Sequence, residues 1–258
     1  MTMKIISIIN LKGGVAKTIS AINIAYTLVK VHGKRVLLID NDKQGNTSKF
    51  FGLHSYEDKS LADLLTDKDC SIESVIKPTA YEGLDIIPAN MNLLRANKEI
   101  LLDVSRPQQT RLRKALSRLT NAYKNEYDYC IIDNAPDINM TVINALVASD
   151  DVLVPIKVDK FAFDGLELLV EQIEDVKEFN ENINFKGCFI TMFQKNGVNV
   201  QGCEYLFSST SYPLFHTMVR KTVKVDETTF VGKPLLDYKK STAGQDYEKL
   251  VEEYLQMC

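Results

Sequence analysis

The sequence predicts an α/β fold, a doubly wound and mostly parallel sheet with helices on both faces, on three observations. Apolar runs of strand length recur at residues 5–9, 35–40, 84–87, 127–133, 151–156 and 189–192. Segments with apolar residues at helical spacing alternate with them. The first run leads into the loop Lys12-Gly13-Gly14-Val15-Ala16-Lys17-Thr18, which opens a helix. A βαβ unit with an anion-binding first turn has this organisation.

The run at 5–9 has the near-continuous apolar character of a parallel strand buried on both faces. A strand ending in a Gly-rich turn leaves backbone N–H groups unpaired, and the next helix points its own free N–H groups the same way. Anionic phosphates satisfy both sets. Lys17 is then placed to reach the β- and γ-phosphate oxygens of a nucleotide as a point charge, and the Thr18 hydroxyl to ligate a bridging Mg²⁺. The common spacing G-x-x-x-x-G-K-[ST] is not met, because its two glycines fall at Leu11 and Ala16. Lys12 stands directly before the Gly pair instead.

Ala21, Ile24, Ala25 and Leu28 recur at helical spacing, and a turn at Gly33 ends that helix before the second strand at 35–40. Asp40 and Asp42 sit at the end of this strand. Ligands in such folds bind at the carboxyl ends of the strands. A carboxylate there can hold an attacking water or a Mg²⁺-bound water, and two are available. From 50 to 102 the sequence carries no catalytic motif, only a short helix at 60–65 and a strand at 84–87 closed by Pro88-Ala89-Asn90.

Residues 108–124 form an amphipathic helix, with Leu112, Leu116 and Leu119 inward and Arg111, Arg113, Lys114 and Arg118 around them. A solvated outer face is the expectation here rather than a DNA contact. The strand at 127–133 ends in Asp133, the Walker B pattern, which would place a carboxylate in the Mg²⁺ shell opposite Thr18. A helix closing near 144–150, a strand at 151–156 with Pro155 near its end, a helix carrying Leu166, Leu169, Ile173 and Val176, and a strand at 189–192 complete the alternation.

At 258 residues the chain is expected to form one domain. Its 45% hydrophobic and 25% charged residues are those of a soluble protein, and no apolar run is long enough to span a membrane. A strand starting at Lys4 leaves no room for a signal peptide or an N-terminal helix-turn-helix, so a cytoplasmic location without operator-specific DNA binding is expected. The five cysteines contain no C-x-x-C pair, which argues against zinc, iron–sulfur and disulfide frameworks. A net charge of −3 excludes a protein that coats nucleic acid with its whole surface. The stretch 219–240 is nevertheless locally basic, with Arg220, Lys221, Lys224, Lys233, Lys239 and Lys240 against Asp226, Glu227 and Asp237, and Lys195 is a further candidate. Such a patch can hold a phosphate backbone without reading bases. The last helix, near 241–256, is mostly acidic on its polar face and should be repelled by anionic lipid.

The K-G-G-x-x-K-[ST] loop resembles the deviant Walker A loop of the ParA/MinD family of P-loop ATPases. The stretch Asp40-Asn41-Asp42-Lys43-Gln44-Gly45-Asn46 is similar to that family's D-x-D-P-Q-G-N, with Lys43 in place of proline, and the likeness extends nearly the length of the chain. Within the family, the order Arg220, Lys224, Gly232-Lys233-Pro234 and Tyr238 resembles that of the partition ATPases.

The resemblance implies ATP and Mg²⁺ as cofactors, with Lys12, Gly13, Gly14, Val15, Ala16, Lys17, Thr18 and Ile19 at the nucleotide. It implies Lys12, Lys17 and Asp42 as catalytic residues, Lys12 reaching the nucleotide of a dimer partner and Asp42 orienting water. Thr18, Asp40 and Asp133 would stand on the metal side, and Lys195, Arg220, Lys221 and Lys224 would contact DNA. The implied function is slow ATP-dependent DNA partitioning by a nucleoid-associated, ATP-bound homodimer that binds DNA non-specifically and is stimulated by a ParB-type centromere-binding protein. The alternatives are a MinD-like positioning ATPase, which the acidic last helix disfavours, and a nucleotide-dependent adaptor with little turnover. Ala16 stands where the family usually has Gly, and Ile19 where a second hydroxyl residue is common. Nucleotide binding is expected to survive both departures, with Ala16 either in a conformation open to L-residues or under strain.

Overall fold

In the computed structural model, which describes residues 3–121, 127–159 and 165–257, strands and helices alternate as the sequence requires. Residues 122–124 of the helix expected at 108–124, and Cys258, lie outside the described residues. In order the chain forms β1 (Lys4–Ile8), α1 (Lys17–Lys30), β2 (Val36–Asn41), α2 (Asn46–Phe50), α3 (Leu61–Thr66), β3 (Lys77–Pro78), β4 (Leu84–Ile87), α4 (Asn92–Leu102) and α5 (Arg111–Asn121). There follow β5 (Tyr129–Asn134), α6 (Met140–Ala148), β6 (Asp151–Lys157), α7 (Leu166–Val176), β7 (Asn184–Phe193), α8 (Gly197–Ser209), β8 (Leu214–Arg220), α9 (Lys224–Val231) and α10 (Thr242–Gln256).

The strands make one eight-stranded sheet in the order β3-β4-β2-β5-β1-β6-β7-β8. Every pairing is parallel except β3 with β4. The six residues of β2 are all buried, as the apolar run requires of a strand covered on both faces. Successive side chains leave a strand on opposite sides. Leu37, Ile39, Cys130 and Ile132 therefore pack with Leu61, Leu93 and Leu112 under α3, α4 and α5. Leu38 and Ile131 pack the other way, against Leu28 of α1 and Tyr247 and Leu250 of α10. Burying each large apolar side chain contributes about 1.5–3 kcal/mol, so this two-sided packing fixes the register of the central strands.

Two local features bear on the site. β1 stops at Ile8, opposite Leu153, so Pro155 lies where β6 has a ladder only with β7 and its missing N–H costs least. The apolar face of α10 is occupied in the core through Ala243, Tyr247, Leu250, Val251 and Tyr254. No helix among the described residues is long and apolar enough to cross a membrane. Cys70, Cys130, Cys188 and Cys203 are buried free thiols, as their spacing suggests.

β1 is flanked by β5 on one side and β6 on the other, and the chain runs from it first toward β2 and later toward β6. This is the topological switch point of the sheet, where a crevice opens beyond the strand ends.

Candidate nucleotide site

The loop from Leu11 to Ala16 crosses this crevice. Asn10 anchors its start, Nδ2 donating to Pro155 O at 2.8 Å while Oδ1 accepts from the Lys12 N–H at 2.8 Å. At its far side the Thr191 hydroxyl lies within hydrogen-bond distance of Val15 O, at 3.2 Å, and of Ile156 O, at 3.1 Å. A Cβ built at Gly13 or Gly14 would meet nothing within 4 Å, so the backbone face of the loop is open to a ligand. Helix α1 then starts with no acidic residue in its first turn, leaving the positive end of its dipole uncompensated.

Ala16 caps this helix with φ 63° and ψ 31°, the left-handed conformation. Of the two ways the loop could accept an alanine, the chain uses strain, at a cost of about 1–2 kcal/mol.

Lys17 is 8% exposed, and its Nζ donates to Lys12 O at 2.9 Å. Burial lowers its pKa, against the opposing pull of Asp133, Asp42 and Asp137. Opposite it, the β2–β5 register sets Asp40 directly beside Asp133. Both are buried, at 0% and 1% exposure. Asp40 Oδ2 accepts from the Ser48 N–H at 2.8 Å and the Ser48 hydroxyl at 2.7 Å, and Asp133 Oδ2 accepts from the Thr47 hydroxyl at 2.7 Å. Burial raises Asp40 to about 6, against the hydrogen bonds from Ser48 and Asp42. Burial and then the Asp40 charge raise Asp133 to about 7, against the Thr47 hydrogen bond and the nearby Thr18 hydroxyl. Asp42 is half-buried, its Oδ1 accepting from the Gln44 N–H at 2.9 Å.

These groups form an unbalanced charge set. Lys17 feels the charges of Asp133, Asp42 and Asp137, while Asp40 and Asp42 crowd Asp133, and none of Asp40, Asp42 and Asp133 makes an ion pair among the described residues. Asp133 Oδ1 is buried with no hydrogen-bond partner among the described residues. A divalent cation fits both observations, and the neighbouring Thr18 supplies a hydroxyl of the right class. No group of three or more His, Cys, Asp or Glu residues among the described residues could hold a metal alone. A cation here therefore needs oxygens from a bound phosphate, as is usual for Mg²⁺.

Lys12 does not join this cluster. Its Nζ lies 2.7 Å from Asp159 Oδ1, beyond the end of β6. Lys43, at the position of the expected proline, lies 3.7 Å from Asp137.

Sequence reasoning missed three parts of the site. Thr47 and Ser48, which hold the two buried acids, follow the recognised acidic stretch directly. Asn41 and Asn134 are paired across the strand ends, Asn41 Nδ2 donating to Asn134 Oδ1 at 2.8 Å. A largely apolar cleft of about 250 Å³ opens beside the loop, lined by Ala16, Ile19, Met192, Val219, Val223 and Tyr247 among others. It has the character of a ligand pocket. Ile19, which replaces the expected hydroxyl residue, adds apolar surface there.

The four predicted DNA contacts are not equivalent. Arg220 is held by Asp246 through Nε at 2.8 Å and Nη2 at 2.6 Å, and Lys224 pairs with Glu227 at 2.6 Å. Lys195 and Lys221 are exposed and make no ion pair with the described residues. Lys221 and Arg220 also border the apolar cleft.

A parallel sheet carrying a glycine loop over a lysine and paired strand-end acids defines a P-loop nucleotide-binding protein. The AAA_31 family, described as an AAA domain, matches residues 3–185. The chain is 35% identical over 254 residues to the sporulation initiation inhibitor protein Soj of Bacillus subtilis, covering 97% of each chain. A plasmid partition protein of Borrelia burgdorferi B31 solved with AMPPNP superposes with TM-score 0.81 at 26% identity, covering all of both chains. A cobyrinic acid a,c-diamide synthase of Mycobacterium smegmatis, solved with an ATP analogue and magnesium, superposes with TM-score 0.83 at 25% identity over 99% of this chain and 95% of that one. The chain belongs to the ParA/Soj-like partition ATPases of the deviant Walker A P-loop family.

Proposed function

We propose that the whole chain, residues 1–258, is one P-loop domain that binds Mg·ATP in the crevice over β1 and uses it as a switch for DNA partitioning. The observation that carries the reading is the buried Asp40 and Asp133 pair, with its unpartnered Oδ1, set opposite Lys17 beneath an open glycine loop. The N–H groups of Gly13, Gly14, Val15 and Ala16 cradle the phosphates, Lys17 neutralises the γ-phosphate, and the base enters the apolar cleft at Ile19 and Met192. Thr18, Asp133 and Asp40 would hold Mg²⁺ directly or through water, and the ion would supply positive charge against the phosphates. Asp42, half-buried and close enough to Lys17 to favour its charge, orients the attacking water for in-line displacement.

ATP closes a homodimer in which Lys12 exchanges Asp159 for the partner's nucleotide and stabilises charge developing on the leaving phosphate. The dimer binds DNA non-specifically on the nucleoid through Lys195 and Lys221, joined by Arg220 and Lys224 where phosphates displace their acidic partners. A ParB-type protein accelerates hydrolysis and releases the complex in the cytoplasm. Binding to random-sequence DNA tests this. Fluorescence anisotropy is expected to rise with ATP but not with ADP, and to fall steeply with salt. Equal binding in all nucleotide states would remove the switch.

A further inference from the structure

The cleft between α3 and α5 gathers cations on an otherwise acidic chain. It has a volume of about 170 Å³ and is lined by Lys68, Arg106, Arg111, Lys114 and Arg118, with Asp67 as the only acid in the lining among the described residues. Its floor is fixed by Arg111, whose side chain is 6% exposed. The guanidinium donates to Leu65 O at 3.1 Å, to Pro107 O at 3.2 Å and to Asp103 Oδ2 at 2.9 Å. Asp103 also pairs with Arg106 at 2.9 Å, so one carboxylate balances two guanidiniums and a surplus positive charge is built in.

The rim adds Lys68, Lys114 and Arg118, all exposed and none in an ion pair with the described residues. Arg111, Lys114 and Arg118 recur at helical spacing, and the cations therefore run along the helix for two turns. A single carboxylate or phosphate would not need that length. The apolar lining residues Leu64, Cys70 and Ala115 are 6%, 3% and 7% exposed, which leaves Pro107 as the only exposed apolar residue in the lining among the described residues. A peptide would find little to anchor an apolar side chain.

We infer that the α3–α5 cleft binds the phosphate backbone of DNA, as a contact surface separate from the C-terminal lysines. The inference rests on the reading that the protein binds DNA. The two surfaces lie on opposite faces of the sheet. Leu112, Leu116 and Leu119 of α5 pack with Leu37 and Cys130, whereas Arg220 is held by α10, which packs with Leu38 and Ile131. Each surface can therefore be changed without disturbing the other, and one chain can touch two duplex segments.

The test compares wild type with the triple variant Lys68→Gln, Lys114→Gln, Arg118→Gln and with the double variant Lys195→Gln, Lys221→Gln. Affinity for a random-sequence duplex is followed by anisotropy with Mg·ATP over a salt series. Each phosphate contact contributes about 0.9 to the slope of log K against log salt, so the triple variant should lose about 2.7 of that slope and keep its melting temperature and basal ATP turnover. If the triple variant folds poorly, Lys114→Gln alone should lose about 0.9 and Lys114→Arg should not. A triple variant with the wild-type slope, beside a double variant that has lost part of its own, overturns this assignment and leaves the C-terminal surface standing. Wild type that ignores DNA in every nucleotide state overturns both. Poly-glutamate binding that the triple variant loses, with its DNA slope unchanged, gives the cleft to an acidic protein and also overturns the assignment.

Discussion

Lys17→Gln is expected to lower ATP turnover by about 10²–10³-fold, the usual loss when one donor aimed at developing charge is removed from a dry site. Glutamine keeps much of the length and can still donate to Lys12 O, so the substitution removes mainly the charge. The charge matters because Lys17 is the cation on which Asp133, Asp42 and Asp137 act, and its burial already works against it. With a triphosphate bound, up to about four further negative charges would share the crevice with those carboxylates. Steady-state hydrolysis, together with nucleotide affinity, checks this. Wild-type turnover in the variant would show that Lys17 does not face the γ-phosphate.

Asp133→Asn is expected to have opposite effects on activity and on stability. Hydrolysis should fall by about 10²-fold, because an anionic oxygen beside Thr18 is lost. The nucleotide-free protein, in contrast, should become more stable. The folded-state pKa values of Asp40 and Asp133 are raised above the ordinary carboxylate value, to about 6 and about 7, chiefly by burial. The folded state therefore binds more protons than the unfolded state between pH 4 and pH 7, and stability falls as pH rises through that window. Removing one member removes much of the penalty, on the order of 2–4 kcal/mol at pH 8. The amide oxygen of asparagine can still accept from the Thr47 hydroxyl, so the site should not collapse. Thermal melts from pH 5 to pH 8 are expected to decline for wild type and stay flatter and higher for the variant. A variant that melts below wild type at every pH would show that the carboxylate pair is not a source of strain. Mg·ATP should reverse the wild-type trend, since it binds the ionised acids that form as pH rises.

The parts of this site that the sequence discloses are those carried by short local patterns. An apolar strand followed by Lys12, Gly13, Gly14 and Lys17 has few other uses, and Asp40 and Asp133 are legible as charges ending buried strands. Thr47 and Ser48 were within reach, since two hydroxyls follow Gly45 and Asn46 directly. They were missed because the five-residue helix α2 is too short to show a period. The apolar cleft was not legible at all. It is assembled from Ala16 and Ile19, Thr191 and Met192, and residues 219–226, which only the closed sheet brings together. Strand β8 was also missed, because His216, Thr217 and Arg220 interrupt its apolar pattern at the edge of the sheet.

The basic C-terminal stretch illustrates a different limit. The Lys224 and Glu227 pair is visible at i, i+3, but the Arg220 partner Asp246 comes from another helix. Counting charge in the stretch therefore overstates what is free to meet a phosphate. The same count understates α5, where Lys114 and Arg118 have no such partners among the described residues.

The most direct test of the account is the mass of the protein in solution with ATP, with ADP and without nucleotide, for wild type and Lys12→Ala. The account predicts that ATP doubles the mass of wild type, that ADP does not, and that Lys12→Ala binds ATP yet stays monomeric or closes into a dimer that turns over far more slowly. Wild type of unchanged mass at saturating ATP, or Lys12→Ala with wild-type turnover, would contradict it, and the Lys12–Asp159 pair would then be a surface ion pair with no part in the switch.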